Sequence, residues 1–178
     1  MSATEPPPNR GLWQTADMRA LGIDFGERRI GLAITAHNGR LALPRETIVR
    51  QTDRRAVYQI AALAREEEVT HLVLGEPRGL EDGARGEAAD RIRRFGAKLE
   101  KAARLPVLYV EETLSTVEAS ERLRLAGVDE RKNPERLDAV AAQILLEQAL
   151  EDGLLPRDEL ETRDELELRD ETLEGAES

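Results

Sequence analysis

With 178 residues, 40% of them hydrophobic, the chain can bury one core, and its length leaves room for one domain with short extensions. It has no cysteine, which excludes disulfides, thiolate zinc sites and thiol nucleophiles, and it lacks a membrane-length apolar run and a signal peptide, so we expect a cytoplasmic protein without a membrane partner. The net charge of −10 does not exclude a nucleic-acid partner, because residues 151–178 hold twelve acids against three arginines and leave the first 150 residues nearly neutral.

The pattern of apolar residues predicts strands that later alternate with helices. Strands are expected at 19–24, 30–35, 41–48, 71–75 and 107–110, and helices at 56–67, 86–103, from 115 to just before Gly127, and 133–150. In the third helix Ser115 and Glu118 have the capping-box spacing, and the fourth opens with Asn133 as cap and Pro134 in its first turn. This order favours an α/β fold, a mixed sheet with a hairpin at one side and helices on its faces.

Two segments outside this pattern are expected to be extensions of the folded domain at 18–152. Residues 1–17 contain a proline triplet and no periodicity, which indicates a flexible arm. Residues 153–178 repeat an acidic hexad, and a period of six cannot line up one face of a helix. We therefore expect this acidic, low-complexity tail to be disordered.

Two carboxylates stand where a core residue would be expected. Strand alternation puts Asp24 on one face with Ala20 and Gly22, and helical spacing puts Asp138 in line with Ala142 and its apolar neighbours. A carboxylate in such a place must be paired, neutralised or ligated, because burial of a bare charge is costly. Alternatively, Asp24 caps a turn and Asp138 only complements its helix dipole.

A third acidic position follows the strand at 107–110, where Glu111 and Glu112 precede a capped helix. Alternation alone does not decide which of them faces inward. Carboxylate oxygens from three segments suit Mg²⁺ or Mn²⁺, and two such ions can activate water and stabilise the leaving oxygen in a phosphoryl displacement.

The motifs that carry these acids resemble those of the YqgF (RuvX) family, relatives of the RuvC resolvases within the RNase H-like superfamily. They are Leu21-Gly-Ile-Asp-Phe-Gly-Glu-Arg-Arg-Ile-Gly-Leu-Ala33, Leu74-Gly-Glu-Pro77, Glu111-Glu-Thr-Leu-Ser-Thr116 and Leu137-Asp-Ala-Val-Ala-Ala-Gln-Ile-Leu145. The resemblance covers residues 18 to about 150. Glu111 and Thr113 depart from the family's usual Asp-Glu-Arg-Leu, and Glu76 replaces the leucine of its usual Gly-Leu-Pro.

The resemblance implies an RNase H-like fold with a five-stranded mixed sheet, and a metal-binding catalytic triad formed by Asp24, Glu112 and Asp138. It implies a metal-dependent nuclease, a hydrolase that matures the 5′ end of pre-16S ribosomal RNA in ribosome biogenesis. Holliday-junction resolution is the alternative activity. Ala141, where RuvC-like resolvases carry a fourth acid, argues against a four-carboxylate resolvase site.

Basic residues flank the acidic centre and predict contacts with phosphates. The candidates are Arg28, Arg29, Arg91, Arg94, Lys98, Lys132 and Arg136. The expected partners are RNA or branched DNA, together with ribosomal precursor particles. A homodimer is compatible with the sequence, which itself says nothing about oligomeric state.

Two other functional classes compete with a nuclease. Asp24-Phe-Gly-Glu resembles the first phosphate loop of actin-like and sugar kinases, but those proteins need a duplicated domain for which the core has no room. A non-catalytic RNA-binding factor for ribosome assembly would keep the fold without the chemistry. The retained acids favour an enzyme over this factor.

Overall fold

The computed structural model describes residues 18–36, 39, 41–77, 84–112 and 115–155, and for residues 84, 85, 112 and 115 it describes the backbone alone. The strands are β1 (Ala20–Phe25), β2 (Arg29–Thr35), β3 (Ala42–Pro44), β4 (Ile48–Val49), β5 (His71–Pro77) and β6 (Val107–Glu112). The helices are α1 (Asp53–Glu66), α2 (Ala84–Ala103), α3 (Ser115–Leu125) and α4 (Pro134–Glu151).

The strands form one mixed sheet in the order β3-β2-β1-β5-β6, with β4 also paired to β2. The hairpin β1–β2 and its neighbours β3 and β4 are antiparallel, whereas β1, β5 and β6 run parallel. The carboxyl ends of β1, β5 and β6 therefore share one edge of the sheet, which we call the carboxyl edge. This confirms the predicted α/β class and the hairpin at one side.

The sheet has six strands rather than five, because the third predicted strand is divided. Pro44 pairs with Ala33, and Ile48 pairs with Ile30. Between these pairs, three residues of one chain segment (45–47) face two residues of β2 (31–32), so the ladder is interrupted as in a β-bulge. Pro44 also lacks the N–H needed to continue the ladder.

The two faces of the sheet differ in the size of their side chains. One face carries Leu21, Ile23 and Leu74, which pack with Ile60 of α1 and Phe95 of α2 in the larger core. The other face is mainly small residues, and α4 packs there with Ala142, Leu145 and Leu146. Because small residues let a backbone approach closely, α4 lies directly on the sheet. The prediction of helices on both faces is confirmed.

Two of the described helix ends follow local chemistry and one does not, whereas the predicted capping box of α3 involves Ser115, whose side chain lies outside the described residues. Thr52 caps α1, its side-chain oxygen accepting from the N–H of Arg55 at 3.2 Å, and Gly127 follows α3 in the left-handed conformation (φ 70°). Asn133 occupies the cap position of α4, but its side-chain amide donates to the carbonyl of Asp129 at 2.9 Å and makes no capping bond. The prediction that Asn133 occupies the cap position was right, and the prediction that its side chain caps the helix was wrong.

Packing continues slightly beyond the domain end expected at residue 152. Leu155 is 2% exposed and joins the small-residue core with Ala20 and Ala42. Residues 1–17 and 156–178, where the arm and most of the acidic tail were predicted, lie outside the described residues. Within the described part of the chain, no helix is both long and apolar enough to span a membrane.

Candidate functional site

Asp24 and Asp138, two of the three predicted ligands, are brought together on the α4 side of the sheet. Gly22 faces α4, since a Cβ atom there would lie 2.9 Å from the carbonyl oxygen of Ala142, and alternation places Asp24 on the same side. Across the hairpin Asp24 is the register partner of Gly31. A Cβ atom on Gly31 would overlap the backbone carbonyl of Asp138. Both acids therefore adjoin the same glycine.

The third acid comes from the end of β6, at the carboxyl edge. Glu111 is the register partner of Glu76, and Glu112 that of Pro77. The Glu76 carboxylate pairs with Arg93 of α2, so Glu76 and its register partner Glu111 lie on the side of the sheet that faces α2. Position 112 follows Glu111 in the strand, and consecutive strand positions alternate between the two faces of the sheet. The side chain of Glu112 lies outside the described residues, so the third ligand is placed by its strand alone.

Asp138 is held by an ion pair with the hairpin. The Nε of Arg29 donates to Oδ2 of Asp138, and the side chains are 37% and 20% exposed. This hydrogen bond raises the pKa of Arg29 above its usual value, against the opposing effect of desolvation. Arg29 was predicted to bind nucleic acid. In the structure it contacts the predicted metal ligand, which gives it a positioning role.

The remaining predicted cations lie in two groups. Arg28 is exposed in the β1–β2 turn, and Arg91 of α2 reaches the same turn, 3.6 Å from the Glu27 carboxylate. Arg94 is exposed on α2, and Lys98 lies 3.7 Å from Asp53. The second group, Lys132 and Arg136, is exposed around the start of α4, where Lys132 is 3.8 Å from Asp129. The first group lies at the β1–β2 turn and on α2, and the second lies around the start of α4, which packs on the other side of the sheet.

Arg50 is a structural residue of this site that the sequence analysis missed. Its guanidinium lies 4.3 Å from the ring centroid of Phe25 and donates to the carbonyls of Gly26 and Glu27, each at 3.2 Å. It also pairs with Asp53 at 2.7 Å. Arg50 therefore holds the turn that follows Asp24. No local pattern marks it, because all its contacts beyond Asp53 are distant in sequence.

The donors fit a hard divalent cation by their chemistry. Asp24 and Asp138 are both partly buried and adjoin the same glycine, and their carboxylates are the oxygen ligands that Mg²⁺ and Mn²⁺ prefer. Among the side chains that the structure describes, no three acids or histidines form a complete metal cluster. A cation at this place would need the side chain from position 112 or water as a further ligand.

Comparison with known proteins assigns the chain to a family. The family model described as "RuvX: Holliday junction resolvase" matches residues 18–152. A protein of Syntrophus aciditrophicus (strain SB) named "Putative pre-16S rRNA nuclease" is 40% identical over 134 residues, which cover 75% of this chain and 89% of that protein. One of the same name from Anaeromyxobacter sp. (strain K) is 41% identical over 130 residues, covering 73% and 94%.

A solved structure shares the fold at lower identity. The T. thermophilus RuvC chain in complex with a Holliday junction substrate superposes with a TM-score of 0.51 at 18% identity, covering 77% of this chain and 96% of that one. This likeness supports the RNase H-like architecture expected from the motifs. On the match of residues 18–152 and the identity to these relatives, the chain belongs to the RuvX (YqgF) family.

Proposed function

We propose that this protein is a metal-dependent nuclease that hydrolyses phosphodiester bonds in the maturation of the 5′ end of pre-16S ribosomal RNA. The observation that carries the proposal is the meeting of Asp24 and Asp138 at Gly31, on the side of the sheet that α4 covers. Two acids from distant segments adjoin one glycine, and β6 ends with Glu112 at the carboxyl edge. The names of the relatives support the rRNA substrate.

In this proposal Asp24, Glu112 and Asp138 hold Mg²⁺ or Mn²⁺. When bound, the ions supply an activated water and charge neutralisation at the leaving oxygen. Arg29 holds the Asp138 carboxylate against β2, and Arg50 holds the turn after Asp24, so both acids are oriented by the protein itself. Arg28, exposed in that turn, binds a phosphate of the substrate.

The acids tested should include one that adjoins the same helix but not the site. Asp24→Asn, Glu112→Gln and Asp138→Asn are compared with Asp152→Asn, an exposed acid that directly follows the last residue of α4. Each protein is assayed with Mg²⁺ or Mn²⁺ on single-stranded RNA, a pre-16S precursor fragment and a four-way DNA junction. Loss of a carboxylate ligand removes several kcal/mol of transition-state stabilisation, so we expect cleavage to fall about 100-fold or more. Full cleavage by Asp24→Asn and Asp138→Asn would refute the site.

The four-way junction tests the second candidate, a Holliday-junction resolvase, which the description of the family model favours. Cleavage of the junction and not of the RNA would replace the proposed substrate. If the wild type cuts none of the substrates with either metal, the result favours the alternative of a non-catalytic RNA-binding factor of ribosome assembly. The proposal places the protein in the cytoplasm with ribosomal precursor particles, in keeping with a chain that has no cysteine.

A further inference from the structure

A basic groove runs between α1 and α2, on the face of the molecule opposite α4. Its volume is about 520 Å³, and it is lined by Arg54, Val57, Tyr58, Lys98, Lys101 and Ala102. Half of these lining residues are cations, and no acid lines the groove among the described residues. A surface of this charge is suited to an anionic partner.

Tyr58 is the most exposed aromatic side chain in the described part of the protein, with 60% of its surface accessible. The two phenylalanines pack against each other in the core, with ring centroids 4.3 Å apart, and Tyr109 is 37% exposed. The guanidinium of Arg54 lies 5.8 Å from the Tyr58 ring centroid, over the ring. Because Arg54 covers one face and the side chain is 60% exposed, an unpaired base would stack on the other face of the ring, with cations beside it.

A row of cations connects this groove with the hairpin that carries Asp24. Arg91, Arg94, Lys98 and Lys101 are spaced by three, four and three residues, so they follow one side of α2 over about 15 Å. The row begins where Arg91 approaches Glu27 in the β1–β2 turn and ends in the groove. Asp53, the acid near Lys98, is shared with Arg50, which is closer to it at 2.7 Å.

We propose that the groove between α1 and α2 binds a single-stranded nucleic acid, with a base stacked on Tyr58 and the phosphates along the cation row of α2. The proposal rests on the proposed nuclease function in one respect: the bound strand leads to the turn beside Asp24. Recognition is independent of sequence, because every base has a face that can stack and the cations contact only phosphates. Tyr58, Arg54 and Lys101 become binding residues of the enzyme.

The test is the affinity for a fluorescein-labelled ten-nucleotide oligouridine, measured by anisotropy in EDTA so that no cleavage occurs. We expect Tyr58→Ala to weaken binding about fivefold to a hundredfold, the range found for loss of base stacking, and Tyr58→Phe to bind like the wild type. Lys101→Ala should also weaken binding and reduce the slope of log affinity against log salt by about 0.7, the value for one phosphate contact on a single strand.

The matched controls lie on α3, which packs on α4 at the other side of the sheet. Leu125→Ala removes an apolar side chain that is 73% exposed, and Arg124→Ala removes one cation that is paired with Glu121. Both should leave the affinity within about twofold of the wild type. Unchanged binding by Tyr58→Ala, or equal weakening by Arg124→Ala and Lys101→Ala, would overturn the proposal.

Two further outcomes separate this site from its alternatives. If Tyr58→Ala keeps its RNA affinity but is cut faster by trypsin after Arg157, Arg163 or Arg169, the groove holds the acidic C-terminal segment and not RNA. Because the binding assay needs no metal and no cleavage, it also stands apart from the nuclease test. If the wild type cuts none of the substrates and Tyr58→Ala still binds RNA more weakly than the wild type, the binding site stands and the nuclease function is refuted.

Discussion

Gly31 of β2 and Asp138 of α4 are in direct backbone contact, so that a Cβ atom on Gly31 would overlap the carbonyl oxygen of Asp138. Asp24 is the register partner of the same glycine. The missing side chain at position 31 is therefore what allows the helix to bring one predicted ligand to the other.

We expect Gly31→Ala to lower the free energy of unfolding by about 3 kcal/mol, the upper range for overpacking, because backbone atoms of α4 cannot move aside as a side chain could. Gly127→Ala is the comparison, since that position is open and its positive φ alone should cost about 1 kcal/mol. Urea unfolding measures both. Equal losses would show that the contact at Gly31 is not the constraint.

In the proposed metal site Arg29 orients the Asp138 carboxylate, because its Nε donates to Oδ2. Arg29→Met should therefore bind Mn²⁺ about tenfold more weakly, the lower end of the range for loss of a residue that orients a metal ligand. Arg28→Met removes the same charge from an exposed position one residue away. Isothermal titration with Mn²⁺ compares them, and a loss of affinity no larger for Arg29→Met than for Arg28→Met would contradict this role.

Gly96 in the middle of α2 is explained by Tyr109 of β6. A Cβ atom at position 96 would overlap the Tyr109 hydroxyl and lie 3.1 Å from Cζ. Alanine should gain about 1 kcal/mol of helix propensity there, but the clash outweighs it, so we expect Gly96→Ala to destabilise the wild type. In a Tyr109→Phe background the hydroxyl is gone, and the loss should be smaller. Urea unfolding of the four proteins gives the coupling, and an additive cycle would contradict this explanation.

His71 makes stability depend on pH. Burial lowers the pKa of His71 below its ordinary value of 6.5. Since the unfolded chain takes up the proton at higher pH than the folded protein, stability falls as the pH drops through about 6.5 towards the lower folded pKa, and is unaffected above that window. Unfolding in urea at pH 7.5 and 5.5 should therefore show a larger loss for the wild type than for His71→Gln. Parallel profiles for the two proteins would remove His71 as the cause.

Most of the fold could be predicted because its signals are local. Alternation in β1 placed Ala20, Gly22 and Asp24 on one face, and helical spacing placed Asp138 and Ala142 on one stripe; the structure confirms both. The bulge at 45–47 was missed because it appears only when β2 supplies the partner residues. Asn133 was given a capping bond because its position is right, but its amide finds the carbonyl of Asp129 instead.

The candidate site was predictable in its acids and not in its contacts. Asp24 and Asp138 stand out in apolar patterns, so their residue type is itself the signal. The pairing of Arg29 with Asp138 and the contacts of Arg50 with the β1–β2 turn join segments that are distant along the chain. No spacing rule connects such segments. Sequence analysis therefore identified Arg29 only as one of several candidate nucleic-acid-binding cations and did not reveal its pairing with Asp138.

The sequence by itself determined the alternation of strands and helices, the family and the identity of the acids, because periodicity and residue chemistry are properties of neighbours along the chain. Only the tertiary structure decided that Gly31 brings Asp24 and Asp138 together, that Arg29 holds one of them, and that Tyr58 stands beside Lys101 in a groove between two helices. The physical reason is that these contacts arise from packing: small residues let α4 approach the sheet, and the side chains then meet where the backbones place them.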